Sequence, residues 1–268
     1  MSEPLVRVVI EDAVGHLILN RPSKRNAIDW AMLQELDGAI ETVAKAPEAR
    51  VVMLRGEGAT FSAGIDLNAL GTLTETEGRP AFVALREKVA TIHRIFGRLT
   101  ELEKPVVAVL RGHCLGLGLE LALAADFRLA ADDTVLGLPE IVLGIIPDCG
   151  GSTRLSRLIG PARAKRLILT GENISAGEAE RLGLLSEVAA AGALEERASA
   201  LATTLARRSP LALGLAKRVI DACHGMPLER QLELESYAQS LILGAPDFGA
   251  ELSRGMQELM GRTSRPKR

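Results

Sequence analysis

Residues 111–125, RGHCLGLGLELALAA, restrict the fold more than any other stretch of the chain. Glycines open a helix that is apolar nearly all round, and a helix apolar on every face has to be enclosed on every side. The remainder of the chain must therefore supply packing layers around it. Glu120 sits inside this run. A buried carboxylate without a partner is costly, so Glu120 has to be protonated, paired, or turned toward a site.

Short runs rich in Val and Ile predict strands over 5–10, 16–20, 51–54, 106–110 and 127–130. Asp29 is placed to cap a helix reaching Lys45, with Leu33, Leu36, Ile40 and Val43 on one face. A second amphipathic helix is expected over 81–102, with Val89, Ile92, Ile95, Phe96 and Leu99 inward. Lys104-Pro105 stops it and opens the next strand. From Leu194 onward the pattern is helical throughout, in pieces 194–207, 210–222, 228–243 and 246–260. The expected organisation is an α/β body over 1–193 followed by an all-helical region over 194–268.

Aromatic residues make up only 3% of the chain, so Ala, Leu, Ile and Val must build the core. A net charge of -2 gives nucleic acid no footing, and the basic tail (Arg262, Arg265, Lys267, Arg268) reads as a solvated terminus. Cys114, Cys149 and Cys223 form no CxxC pair, which fits a reducing compartment. The first residues carry no secretory pattern, and no run approaches the roughly 18 apolar residues of a membrane helix. A cytoplasmic protein that does not enter a membrane is expected. The four histidines lack HExxH or other metal spacing, so no metal site is expected, and His113 reads as structural.

Gly116-Leu117-Gly118 follows a strand and opens a helix, which invites a dinucleotide reading. The GxGxxG fingerprint fails, because its third glycine would fall on Leu121. What remains is a helix start whose free N–H groups can hold an anion or a developing oxyanion. Phe61-Ser62-Ala63-Gly64-Ile65-Asp66-Leu67 forms a second glycine turn after the 51–54 strand. Alone it reads equally as a plain strand-to-helix turn; together, two turns each offering one amide are what a two-donor oxyanion hole requires. Glu140 lies between apolar neighbours in Gly137-Leu138-Pro139-Glu140-Ile141. It is too far along the chain from Glu120 for one element to join them, so any meeting is tertiary. Asp148, in the loop before a helix over 152–159, is placed either to cap that helix or to add a third acid.

These residues together resemble the crotonases, the enoyl-CoA hydratases and isomerases. Leu19-Asn20-Arg21-Pro22-Ser23-Lys24-Arg25-Asn26-Ala27 resembles the family's LNRP…NA element, and 61–67 its FSAGxDL turn. Residues 104–130 are similar to its KPVIAAVxGxxxGxGxELALxxDxRxA block, Pro139-Glu140-Ile141 to its PEI, and 170–183 to its LTGE…GLV stretch. The resemblance runs over roughly residues 5–260. It implies an α/β fold, a spiral of ββα units, with a helical C-terminal region that drives homotrimers or dimers of trimers. The substrate it implies is an acyl-coenzyme A thioester, with no permanently bound cofactor.

By the same resemblance, the oxyanion donors fall on the amides of Ile65 and Leu117, where most members carry glycine at the latter. Lys24 or Arg25 is placed to meet the coenzyme A phosphates. Ala27, Ala63, Gly64, Asp66, Leu67 and Gly116 fall in stretches that line the coenzyme channel. Glu120 and Glu140 match the two glutamates that add water across a 2,3 double bond. Asp148 matches the acid of isomerase branches, which makes a double-bond isomerase the alternative. A non-catalytic acyl-CoA-binding protein is the lesser alternative. Met256 stands roughly where a coenzyme-contacting aromatic is common, and residues 70–82 are expected to shape the acyl pocket.

Overall fold

The computed structural model describes residues 3–71, 80–223 and 225–263. Strands β1 (Val6–Glu11) and β2 (Val14–Leu19) form a hairpin that leads into α1 (Trp30–Lys45) and β3 (Val51–Gly56). Helices α2 (Leu67–Gly71) and α3 (Ala81–Glu101) precede β4 (Val106–Leu110), β5 (His113–Leu115) and α4 (Leu117–Ala122). Then come β6 (Phe127–Ala131), β7 (Val135–Gly137), a 3-10 turn (Pro139–Leu143), α5 (Gly151–Ile159) and α6 (Pro161–Thr170). The series continues with β8 (Asn173–Ser175), α7 (Ala176–Arg181), β9 (Glu187–Ala189), α8 (Leu194–Ala206), α9 (Pro210–Ala222), α10 (Leu228–Leu243) and α11 (Phe248–Thr263).

Among the described residues the strands form a six-stranded sheet, ordered β1-β2-β3-β4-β6-β9, and a three-stranded sheet, β5-β7-β8. From β2 to β9 the larger sheet is parallel, as crossovers through intervening helices require. Its central strands are covered on both faces, which is why β3 and β4 read as unbroken apolar runs. Side chains alternate between those faces. Val52, Leu54, Val106, Ala108 and Leu110 join the main core with α1, α3 and α4. Val51, Met53, Val107 and Val109 face the opposite way and meet Leu194, Ala198, Ala202 and Ala206, one stripe of α8 at four-residue spacing.

Helix α1 begins where its cap predicts: the Asp29 carboxylate accepts from the Met32 amide at 2.9 Å. The helix expected from the Gly116 turn through 125 starts there but ends three residues early. Residues 113–115 form β5, and α4 ends at Ala122. It is nevertheless buried along its whole length. The last helix starts at Phe248, two positions later than the expected Pro246, and runs to Thr263. Among the described residues no helix is long and apolar enough to cross a membrane.

Two compact units divide at Ala206 and Arg207. The helical composition begins at Leu194, but α8 uses its small-residue stripe to seal one face of the sheet and so belongs with the first unit. The second unit holds α9, α10 and α11. Within it, a cleft of about 380 Å³ is lined by residues including Leu211, Phe248, Arg208 and Arg254, and both arginines are tied to acids, Glu258 and Glu251. Ile220, Leu228, Leu232, Tyr237, Leu241 and Leu259 are exposed on this unit's helices.

Candidate active site

The carboxyl end of β3 leads into the Gly64 turn, and β4 leads through β5 into the Gly116 turn; ligands of open parallel sheets gather at such ends. Backbone hydrogen bonds stitch the two turns together. Phe61 N–H donates to Arg111 O (2.9 Å), Ser62 N–H to His113 O (3.0 Å), and Leu115 N–H to Ser62 O (3.1 Å). The approach is close enough that a Cβ on Gly64 would lie 2.9 Å from Leu115 O and 3.5 Å from Leu117 N. Gly64 (φ +98) and Gly116 (φ +50) also hold left-handed conformations that a side chain would strain.

Two amides are left over by this arrangement. Leu117 opens α4, so its N–H has no acceptor within the helix. Ile65 bridges Ile28 in parallel register, where Ile28 N–H bonds Gly64 O and Asp66 N–H bonds Ile28 O, passing over Ile65's own amide. Among the described residues neither the Ile65 nor the Leu117 N–H meets a protein acceptor.

The acids converge on the same place. Gly116 N–H donates to Gly137 O (2.9 Å), which draws the Glu140 turn against the Gly116 turn. A Cβ at Gly116 would lie 2.9 Å from Glu140 Oε1, so the missing side chain is the space the carboxylate enters. Glu140 Oε2 is buried and meets no protein donor among the described residues. Glu120 is buried in α4, and its Oε1 accepts from Cys149 N–H and Gly151 N–H, both at 2.8 Å. Burial pushes Glu120 up to about 8; the charges of Glu140 and Asp148 add to the rise, and the two amides oppose it. Burial likewise pushes Glu140 up to about 6, with Asp148's charge in the same direction. An interacting pair with separated affinities can hold one proton near neutrality, which gives one acid and one base.

The other expected residues fall as follows. Lys24 and Arg25 are exposed on the loop after β2, and Leu67 is exposed at the start of α2. Ala27 and Ala63 are partly buried. Asp66 lies in the turn, but both its oxygens are engaged there: Oδ2 with Arg21 (2.7 Å) and Oδ1 with Asn68 N–H (2.9 Å). Asp148 does not cap α5, whose N-cap is Gly150 with no side-chain bond. Its side chain is exposed, Oδ1 meets Cys149 Sγ at 3.5 Å, and its carbonyl oxygen lies 2.5 Å from His93 Nε2. His113 is exposed on β5. Of the expected acyl-pocket segment 70–82, residues 72–79 lie outside the described residues. Among the described residues no cluster of His, Cys, Asp and Glu is placed to hold a metal ion.

Sequence reasoning did not single out the group that fixes the first turn. Asn26 is fully buried; its amide donates to Glu57 O (3.0 Å) and Thr60 O (2.7 Å), and its Oδ1 accepts from Arg21 N–H. Ser62 Oγ donates to Asn26 O and accepts from Gly64 N–H, which links that loop to the Gly64 turn. The left-handed φ of 52 at Asn26, a conformation asparagine tolerates, fits its place in a tight loop. Asn26→Ala strands those buried backbone groups and is expected to cost about 1–3 kcal/mol of stability, read as a lower denaturant midpoint at unchanged m-value. An unchanged midpoint would show that the amide network does not hold the turn.

Comparison with known proteins supplies the context for this geometry. The pattern described as enoyl-CoA hydratase/isomerase matches residues 9–257. The chain is 35% identical over 246 residues to a 2,3-dehydroadipyl-CoA hydratase of Escherichia coli, spanning 90% of this chain and 91% of that protein. It is 38% identical over 229 residues to a short-chain-enoyl-CoA hydratase of Clostridium acetobutylicum, spanning 85% of each. A crystal structure of an enoyl-CoA hydratase from Bacillus anthracis is similar with a TM-score of 0.85, 35% identity and 96% of each chain covered.

Proposed function

The chain belongs to the enoyl-CoA hydratase/isomerase family, and on that footing we propose that it adds water across the 2,3 double bond of an acyl-CoA thioester. The observation that carries this reading is the convergence of Glu120 and Glu140 beside the unpaired amides of Ile65 and Leu117. The thioester carbonyl oxygen accepts from both amides, which draws electron density from the double bond. A water held between the carboxyl groups attacks C3 and passes its proton to the ionised member of the pair. The protonated member delivers its proton to C2. The electron pair of the C=C bond rests on the thioester oxygen as an enolate until C2 is protonated, and the two amides stabilise that charge.

Lys24 and Arg25, exposed beside the site, meet the coenzyme phosphates in this reading, and no bound cofactor takes part. The helical region assembles trimers, alone or paired, and the exposed apolar side chains of α9, α10 and α11 support that role. The protein works in the cytoplasm. Incubation with 2-enoyl-CoA thioesters of several chain lengths should yield 3-hydroxyacyl-CoA, followed by loss of the conjugated enoyl absorbance. No turnover at any length would overturn the reading.

One observation favours a second reading. The charge of Asp148 acts on both Glu120 and Glu140, so a third acid lies near the pair. A double-bond isomerase would lose turnover of 3-enoyl or dienoyl thioesters in Asp148→Asn. Normal isomerisation by that variant would exclude a role for Asp148.

A further inference from the structure

The loop 147–151 does two things for Glu120: it lies over the carboxylate and aims two amides at one of its oxygens. Nothing in the loop's own sequence fixes it there. Gly150 adopts φ +109, and α5 starts on it without a side-chain cap. Among the described residues three side-chain contacts from outside hold the segment, beside the backbone bond from Ser152 N–H to Pro147 O (3.1 Å). Ser152 Oγ donates to Pro147 O (2.8 Å), His93 of α3 meets Asp148 O, and Arg154 Nη1 reaches Cys149 O at 3.4 Å. The last is the closest to the carboxylate's two donors. Arg154 Nη1 takes the space that a side chain at Gly150 would need, since a Cβ there would fall 2.0 Å from it. Cys149 and Gly151, the donors to Glu120, flank that glycine.

We propose that Arg154 is a positioning residue for hydration: its guanidinium clamps the Cys149–Gly151 backbone over Glu120 and supplies the positive charge that offsets Glu140 and Asp148 and keeps the Glu120 proton available for donation. The inference rests on the hydratase reading of the site. The groups facing Glu120 are Glu140 from the 3-10 turn, Asp148 and Cys149 from the loop, and Arg154 from α5. Of these, Arg154 alone is positive. Burial lowers Arg154's own affinity for its proton and the charge of Glu120 counters that, so the two interact across the loop. Arg157, the next arginine on α5, is exposed, and its charge acts on Arg154.

The wild-type pH profile of kcat/KM sets the reference, and Arg154→Met, Arg154→Lys and Arg157→Met are compared with it. Removing the charge makes Glu120 harder to ionise, so the alkaline limb in Arg154→Met moves to higher pH by about half a unit or more. Its kcat falls about tenfold with KM within about twofold, as expected when a catalytic group is misplaced but binding is not. Lysine keeps the charge but not the planar fork, so it restores the limb position better than it restores kcat. Arg157→Met matches the wild type. Folding of each variant is checked by its thermal midpoint. An alkaline limb unmoved in Arg154→Met overturns the inference, whether or not kcat and the thermal midpoint fall, because that pattern is structural support only. Absence of wild-type hydration would instead overturn the hydratase reading itself.

Discussion

Glu120→Gln is expected to lower kcat for hydration by about 10²–10⁴-fold with little change in KM, the range for losing a positioned acid or base. The substitution keeps shape. A glutamine Oε1 still accepts from Cys149 N–H and Gly151 N–H, so the loop over the site stays in place and the loss reports proton chemistry. Glu140→Gln should lose as much, and the double variant little more than either, because the pair acts as a unit. Wild-type kcat/KM should be bell-shaped, with limbs near the values of about 6 for Glu140 and about 8 for Glu120. Below the lower limb no base remains, and above the upper limb no acid.

The same substitution has a second readout of opposite sign. Glu120's folded value of about 8 lies above the ordinary 4.5 of a glutamate. A carboxyl raised in this way contributes stability that is fully present below the unfolded value and is lost as pH rises through the folded one. Glu120→Gln escapes that loss. Its thermal midpoint should therefore gain on the wild type as pH rises from 5 to 9, even as activity disappears. A midpoint gap independent of pH would mean that Glu120 is not buried as the structure has it.

What the sequence made legible was set by length and by locality. The helices of α1, α9 and α10 span several turns, and their apolar period and caps located them within a residue or so. Strands β5, β7, β8 and β9 have three residues each, too few for any alternation to register. That gap matters, because β5 leads into the Gly116 turn and its pairing with β7 carries that turn to Gly137. Glu120, Glu140 and the two amide turns stood out as local oddities, acids among apolar residues and glycines at helix starts. Their convergence is tertiary and was legible only through family resemblance. Asn26 and Arg154 left no local trace, since each works through backbone groups distant in the chain or hidden in a loop's conformation. Leu194 marks a change of composition rather than of packing, because α8 seals the sheet it follows.

Gly64→Ala should cost about 10²–10³-fold in kcat, comparable to deleting one oxyanion donor, although no donor is removed. Gly64 sits at φ +98, where an L side chain is strained by about 1–3 kcal/mol. The new Cβ would also stand 2.9 Å from Leu115 O, a backbone atom that cannot swing aside. Relief must come from moving one turn away from the other. The hydrogen bonds from Ser62 N–H to His113 O and from Leu115 N–H to Ser62 O resist that movement and transmit it. The Ile65 and Leu117 amides then part by some tenths of an ångström, and donors aimed at one oxygen lose their shared focus. Enolate charge exists only along the reaction path, so the loss should fall on kcat, while affinity for coenzyme A, measured by competition, should hold within about threefold. If alanine at 64 instead weakened coenzyme binding and kcat in equal measure, the turn would be a binding surface and the oxyanion assignment of Ile65 would fail.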